Sequence, residues 1–150
     1  MRQGAILKST IELITQIIEN HKKPKIEIKK YFKDNRFAGS KDKKLIQEMI
    51  FKFLKNYFSL EKICNKNSIE LNIRNSLLVY YFSENKKKTL KEVYEGKYSI
   101  QPEIEDEKIY NTAINLKNKV LPSFPNWLEK KLNQDLKKRL LENYKSILLE

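Results

Sequence analysis

A chain of 150 residues with 40% hydrophobic side chains and a formal net charge of +12 is long enough for one domain with its own core, and no apolar run in it approaches the roughly 18 to 20 residues that cross a bilayer. The N-terminus lacks the charged, apolar and small-residue regions of a secretory signal, so cytoplasmic residence and no membrane partner are expected. One cysteine, Cys64, and one histidine, His21, exclude an internal disulfide framework and a multi-thiolate metal site, and no metal is expected.

Apolar residues recur with the helical period along the chain, and alternation of the strand type is absent. Over residues 5 to 20, Leu7, Ile11, Ile14 and Ile18 form one stripe with Ile6, Leu13 and Ile17 beside it, which predicts a half-buried helix. His21 follows at its C-terminal end, where a cation suits the helix dipole. Pro24 can open a second helix, because its fixed φ and missing N–H are harmless in a first turn. Ile28, Tyr31 and Phe32 give that helix an apolar side, and Lys25, Lys29, Lys30, Lys33 and Arg36 a basic one. Gly39 is expected to end it, and Ser40 to cap the next helix with Asp42 in its first turn. That third helix carries Ile46, Ile50, Phe53 and Tyr57 on one stripe, with Leu45, Met49, Leu54 and Phe58 adjoining, and Cys64 closes the stretch as a small apolar filler.

Ser68 is expected to cap a helix running to about Ser83. Its segment Leu77-Leu78-Val79-Tyr80-Tyr81-Phe82 also reads as a strand, but the register of Ile69 and Ile73 with Leu77 and Tyr80 favours a helix buried nearly all round. Lys86, Lys87 and Lys88 form a loop, and Thr89 with Glu92 makes a capping box for a short helix ending at Gly96. Residues 103 to 119 read as a helix with Ile109, Ala113 and Leu116 inward, its acidic first turn of Glu103, Glu105, Asp106 and Glu107 complementing the dipole. After the break at Leu121-Pro122-Ser123-Phe124-Pro125, one helix containing Trp127, Leu128 and Leu132 and a last one over 134 to 149 are predicted. Seven or eight helices and no sheet make an all-α bundle, with residues 1 to 120 as its main domain and 121 to 150 as C-terminal helices.

Catalytic machinery has no visible carriers. Three glycines in the whole chain make no phosphate loop, there is no paired histidine, and no Ser/His/Asp set is present, so no catalytic residue and no cofactor site are assigned to this chain. Charge placement is more telling. Residues 21 to 66 carry 14 basic and 5 acidic side chains, whereas residues 100 to 150 carry 9 and 8. Two readings of this excess stand: a surface facing RNA phosphates, or solvated lysines accumulated by the codon usage of an AT-rich gene, since lysines outnumber arginines 27 to 4 and isoleucine and asparagine abound.

The stretch from Asn20-His21 through Pro24, Tyr31, Arg36-Phe37-Ala38-Gly39-Ser40-Lys41-Asp42-Lys43 and Ile50 to Leu60 resembles the N-terminal region of the RsmB/NOP/Sun family of RNA cytosine-C5 methyltransferases, in its alphaproteobacterial version. Gly96-Lys97-Tyr98 and Pro125-Asn126-Trp127-Leu128 continue the likeness in the same order over about 125 residues. The resemblance implies a NusB-like helical domain with an RNA-binding accessory role beside a catalytic domain that uses S-adenosylmethionine. The family's Pro-Cys and Thr-Cys motifs and its glycine-rich cofactor turn have no counterpart here, which makes the chain an expected amino-terminal piece of a longer enzyme that does not itself methylate. The expected partners are RNA, ribosomal in this family, and the enzyme's own catalytic domain. Lys29, Lys33, Arg36, Lys41, Lys43 and Lys44 are the candidate phosphate-facing cations, holding an RNA backbone so that a linked domain reaches its cytosine. For Arg36 and Asp42 an ion pair closing the turn between helices is an equal alternative. An antitermination factor, or a protein-interaction module with an apolar patch near Trp127, are the competing functional readings.

Overall fold

The computed structural model describes residues 1–20, 23–36 and 38–117, and these form seven α-helices with no strand among them. The helices are α1 (Gln3–Asn20), α2 (Pro24–Asp34), α3 (Ser40–Lys55), α4 (Tyr57–Lys66), α5 (Ile73–Glu84), α6 (Leu90–Tyr94) and α7 (Asp106–Ile114). The all-α bundle expected from the apolar period is therefore the architecture of the chain. His21, Phe37 and the helices expected from Pro125 onward, Trp127 included, lie outside the described residues.

Helix α1 is the platform, with α2, α3, α5 and α6 all packed on it. Its buried face is Ile6, Leu7, Leu13, Ile14 and Ile17, while Ile18 is 43% exposed and does not belong to the stripe the sequence suggested. The reason is the neighbour set: partners on several sides rotate the buried arc toward Ile6 and Leu13. The Thr10 hydroxyl, wholly buried, donates to the Ile6 carbonyl at 2.7 Å and so needs no other partner. Helix α5 is the second hub, lying against α1, α4 and α7. Every residue from Asn75 to Phe82 is buried, which explains the strand-like run: a helix covered on all sides carries no polar period. Phe53 of α3 and Phe82 of α5 are fully enclosed, each contributing about 1.5 to 3 kcal/mol by leaving water.

Four asparagines end four helices by one device. Asn35, Asn56, Asn67 and Asn85 each donate from the side-chain amide to the carbonyl four residues back, at 2.9, 2.7, 2.8 and 2.8 Å, and the backbone N–H of the same residue bonds that carbonyl too, so each last carbonyl takes two donors. Asn56 thereby divides the stretch from Ser40 to Cys64 into two helices, α3 and α4, so that Leu60 and Cys64 turn inward against α5. Ser68 does not cap the following helix. It sits at φ 56° just after α4, where the Ile69 N–H bonds the Cys64 carbonyl at 2.9 Å in a left-handed helix end. The true N-cap of α5 is Asn72, whose side chain accepts the Asn75 N–H at 2.8 Å. Helix α6 begins with the expected capping box: the Thr89 hydroxyl accepts the Glu92 N–H at 3.4 Å and the Glu92 carboxylate the Thr89 N–H at 3.3 Å.

The acidic run before α7 was read as dipole complementation, and for Asp106 that is too little. Its carboxylate is 2% exposed and takes both terminal nitrogens of Arg74, at 2.8 and 2.9 Å, together with the Tyr94 hydroxyl and the Glu103 N–H at 3.0 Å. Arg74 also reaches the Glu103 carboxylate at 2.9 Å and the Gln101 carbonyl at 2.7 Å. This knot ties α5, α6 and the segment leading into α7, and it shortens the expected helix of 103 to 119, which begins only at Asp106 and ends at Ile114.

Candidate nucleic-acid interface

Helices α2 and α3 both rest on α1, and a groove of about 680 Å³ opens between them. On α2 the four-residue steps Lys25, Lys29 and Lys33, followed by Arg36, put four cations along one rim. On α3 the same step places Lys43, Gln47 and Phe51 along the other. Ile28, Phe32 and Phe51 form an apolar floor, with the first two 4% and 7% exposed because their inner faces belong to the core. The Lys43 ammonium stands 5.7 Å from the centre of the Phe32 ring, close enough to be held by its π face.

Among the described residues, five cationic side chains line this groove and no carboxylate does. Two acidic residues of these helices are engaged elsewhere: Asp42 takes the Met1 ammonium at 3.4 Å, and Glu27 is 1% exposed beneath α2, where the Asn20 amide donates to it at 3.2 Å. The turn-closing ion pair between Arg36 and Asp42 is thus not formed. Arg36 instead donates to the Lys33 carbonyl at 3.4 Å, lying back on the last turn of α2 and leaving its charge on the groove rim.

Four of the six cations chosen from the sequence, Lys29, Lys33, Arg36 and Lys43, are brought together here. Lys41 and Lys44 are exposed but do not line the groove, because α3 turns them away from the side that bears Lys43 and Gln47. Sequence reading placed Lys25 on the basic side of α2 without choosing it as a contact, and it passed over Gln47 and Phe51. The signal for these two was present as the four-residue steps beyond Lys43; Phe51 lay outside the apolar stripe used to define the helix. The turn itself is built differently from expectation. Asn35 ends α2, and Gly39 is the N-cap of α3 in extended conformation (φ −74°, ψ 173°), with Ser40 already the first helical residue and no side-chain cap. Open space surrounds the position of a Cβ at Gly39, so no left-handed backbone or close approach demands glycine there.

Tyr31 turns away from the groove into the core, 3% exposed, and its hydroxyl donates to Glu12 at 3.1 Å. Burial above all, and the Glu12 charge, push the phenol above its usual range despite an opposing hydrogen bond with Ser9, so it remains a neutral donor. Burial likewise raises the Cys64 thiol, with a lesser opposing contribution from Ser76, whose hydroxyl lies 3.9 Å away. Neither group offers a nucleophile to the groove, which is a cationic one with an apolar floor.

Among the described residues no cluster of three or more metal-ligating side chains occurs, and no helix is long and apolar enough to cross a membrane. No family model, curated protein or solved structure matches this chain.

Proposed function

We propose that the bundle binds RNA through the groove between α2 and α3 and acts as the NusB-like N-terminal domain of an S-adenosylmethionine-dependent rRNA cytosine-C5 methyltransferase. The observation that carries the binding reading is the concentration of Lys29, Lys33, Arg36 and Lys43, with Lys25 beside them, around one groove that no carboxylate lines among the described residues. Cations gathered at this density release counterions from a phosphate backbone, and contacts of this kind orient the nucleic acid without reading its sequence. A solvated face with incidental lysines would intersperse acids, as the C-terminal third of the chain does. The methyltransferase context is supported by the resemblance across Arg36 to Lys43 and at Gly96-Lys97-Tyr98. The residues here position, and the methyl transfer belongs to a linked domain that would supply the cofactor and the nucleophile.

Titrating a structured rRNA fragment by fluorescence anisotropy between about 50 and 200 mM salt tests the binding reading. Replacing Lys29, Lys33 and Lys43 together by glutamine is expected to weaken binding and to flatten the slope of log K against log salt by about 2 to 3. Replacing Lys41 and Lys44 should move the slope less. An unchanged affinity and slope in the triple variant would remove the groove as the RNA site. For the enzyme context, a reading frame continuing past Glu150 into a Pro-Cys motif and a glycine-rich turn is expected, and a stop codon there refutes it.

A further inference from the structure

A second cleft lies between α1 and the loop that follows α6. It measures about 620 Å³, within the range of roughly 300 to 1,000 Å³ typical of ligand sites, and is formed by the first three turns of α1 and the loop Gly96–Ser99. Arg2, Lys8, Lys97 and Tyr98 line it, and its one carboxylate, Glu12, already accepts the Tyr31 hydroxyl. Two contacts join the helices that bear the two clefts. Met1 lines the second and bonds Asp42, next in sequence to Lys43 of the first; Glu12 lines the second and bonds Tyr31, next to Phe32 of the first.

Tyr98 is the unusual member. A tyrosine ring 69% exposed gives up the burial that normally holds such a side chain, yet the loop presenting it is fixed. Ser99 is 1% and Ile100 5% exposed, the Ser99 hydroxyl is bonded to the Glu95 carbonyl, and Gly96 takes φ +102°, a conformation that favours glycine and leaves room for the Arg2 side chain above it. On the α1 side, Gly4 admits the loop so closely that a Cβ there would lie 2.6 Å from Ser99 and overlap the Val93 carbonyl. The Lys97 ammonium sits 5.7 Å from the Tyr98 ring centre. A rigidly held, solvent-facing ring with cations around it is the arrangement by which proteins hold unpaired nucleotides: the base stacks and the flanking phosphates meet lysine and arginine.

We infer that Tyr98 is a stacking platform for an unpaired base, with Arg2, Lys8 and Lys97 as cations for the phosphates beside it, so that the RNA bound by the α2–α3 groove presents a single-stranded nucleotide at this second cleft. The inference rests on the RNA reading of the groove and adds that the ligand is a junction of backbone-tracked and unpaired RNA.

Binding of a single-stranded oligoribonucleotide and of a blunt RNA duplex with the same number of phosphates separates the two claims. Tyr98→Ala is expected to weaken single-strand binding about five- to hundredfold, the worth of one stacked base, with duplex affinity and salt slope unchanged. Tyr98→Phe should retain the single-strand affinity, since the ring and not the hydroxyl is used. Lys97→Gln should lower the single-strand salt slope by about one. If Tyr98→Ala binds the single strand as the wild type does while the Lys29, Lys33, Lys43 triple variant has lost RNA, the stacking subsite is overturned and the groove stands. Equal losses on both probes overturn it as well, because charge tracking then suffices. If the triple variant binds both probes normally and Tyr98→Ala loses only the single strand, the groove fails and Tyr98 stands as the contact.

Discussion

Replacing Asp106 by alanine would leave a partly buried guanidinium and a phenol without their common acceptor. The Arg74 side chain is 15% exposed, and its two terminal nitrogens give Asp106 a bidentate pair at 2.8 and 2.9 Å. Breaking a buried pair from one side costs about 3 to 5 kcal/mol. Arg74 would keep Glu103, itself 55% exposed, and the Gln101 carbonyl, which places the loss near the lower end, about 3 kcal/mol. Against a domain stability of about 5 to 15 kcal/mol that loss should lower Tm by roughly 10 to 15 °C in a thermal melt followed by circular dichroism. The pH dependence carries the same signature. Burial alone would raise the Asp106 carboxyl, but hydrogen bonds from Arg74, Tyr94 and the Glu103 N–H, with the Arg74 charge, outweigh it and hold the group below its ordinary value. A carboxyl depressed in the folded state adds stability that is fully present above its unfolded pKa of about 3.9 and is lost as pH falls through the folded value. Wild type should therefore lose stability more steeply than Asp106→Asn on acidification below about pH 4. A melt of Asp106→Ala within about 3 °C of wild type at neutral pH, or parallel acid curves for the two proteins, refutes the account of this knot as a net stabilising tie.

Two further expectations concern the body of the bundle. Gly4→Ala should destabilise by more than the gain of about 0.4 to 1 kcal/mol that glycine-to-alanine gives at an unstrained helical site, because its Cβ meets Ser99 and the Val93 carbonyl; urea titration of the variant would show a lowered midpoint, and a raised one would disprove the close approach of α1 to the Gly96–Ser99 loop. Cys64 is wholly buried with its thiol pushed up by burial, so alkylation by iodoacetamide at pH 8 should be slow in the folded protein and fast in urea, whereas rapid labelling of the folded state would show an open α4–α5 contact.

Much of the groove was legible in the chain because helix periodicity turns spacing into position. Lys29 and Lys33 share a side of α2 by register alone, Arg36 folds back on the last turn of that helix, and Lys43 falls opposite once the chain has turned. Lys41 and Lys44 share the charge of Lys43 and not its register, which the sequence did not weigh. Asn56 gave no break in the apolar period and Ser68 suggested a cap for a related reason: both are polar residues beside apolar runs, and whether such a residue starts, ends or bends a helix depends on the backbone conformation and partners it finds. The abundance of asparagine, read as compositional drift, holds part of the answer, since four of these residues close helices.

From the residues alone the helical class, the apolar faces of α2, α3 and α5, the capping box at Thr89 and the concentration of charge before residue 66 were determined, because each is a local or periodic property. The tertiary structure decided what no local property encodes: that α1 bears both α2 and α3 and so leaves a groove between their cations, that Asp106 answers Arg74 from 32 residues away, and that Tyr98 is held outside the core beside Arg2 and Lys8. Each of these joins side chains distant in sequence, and only the packing of one helix surface against another fixes which of them meet.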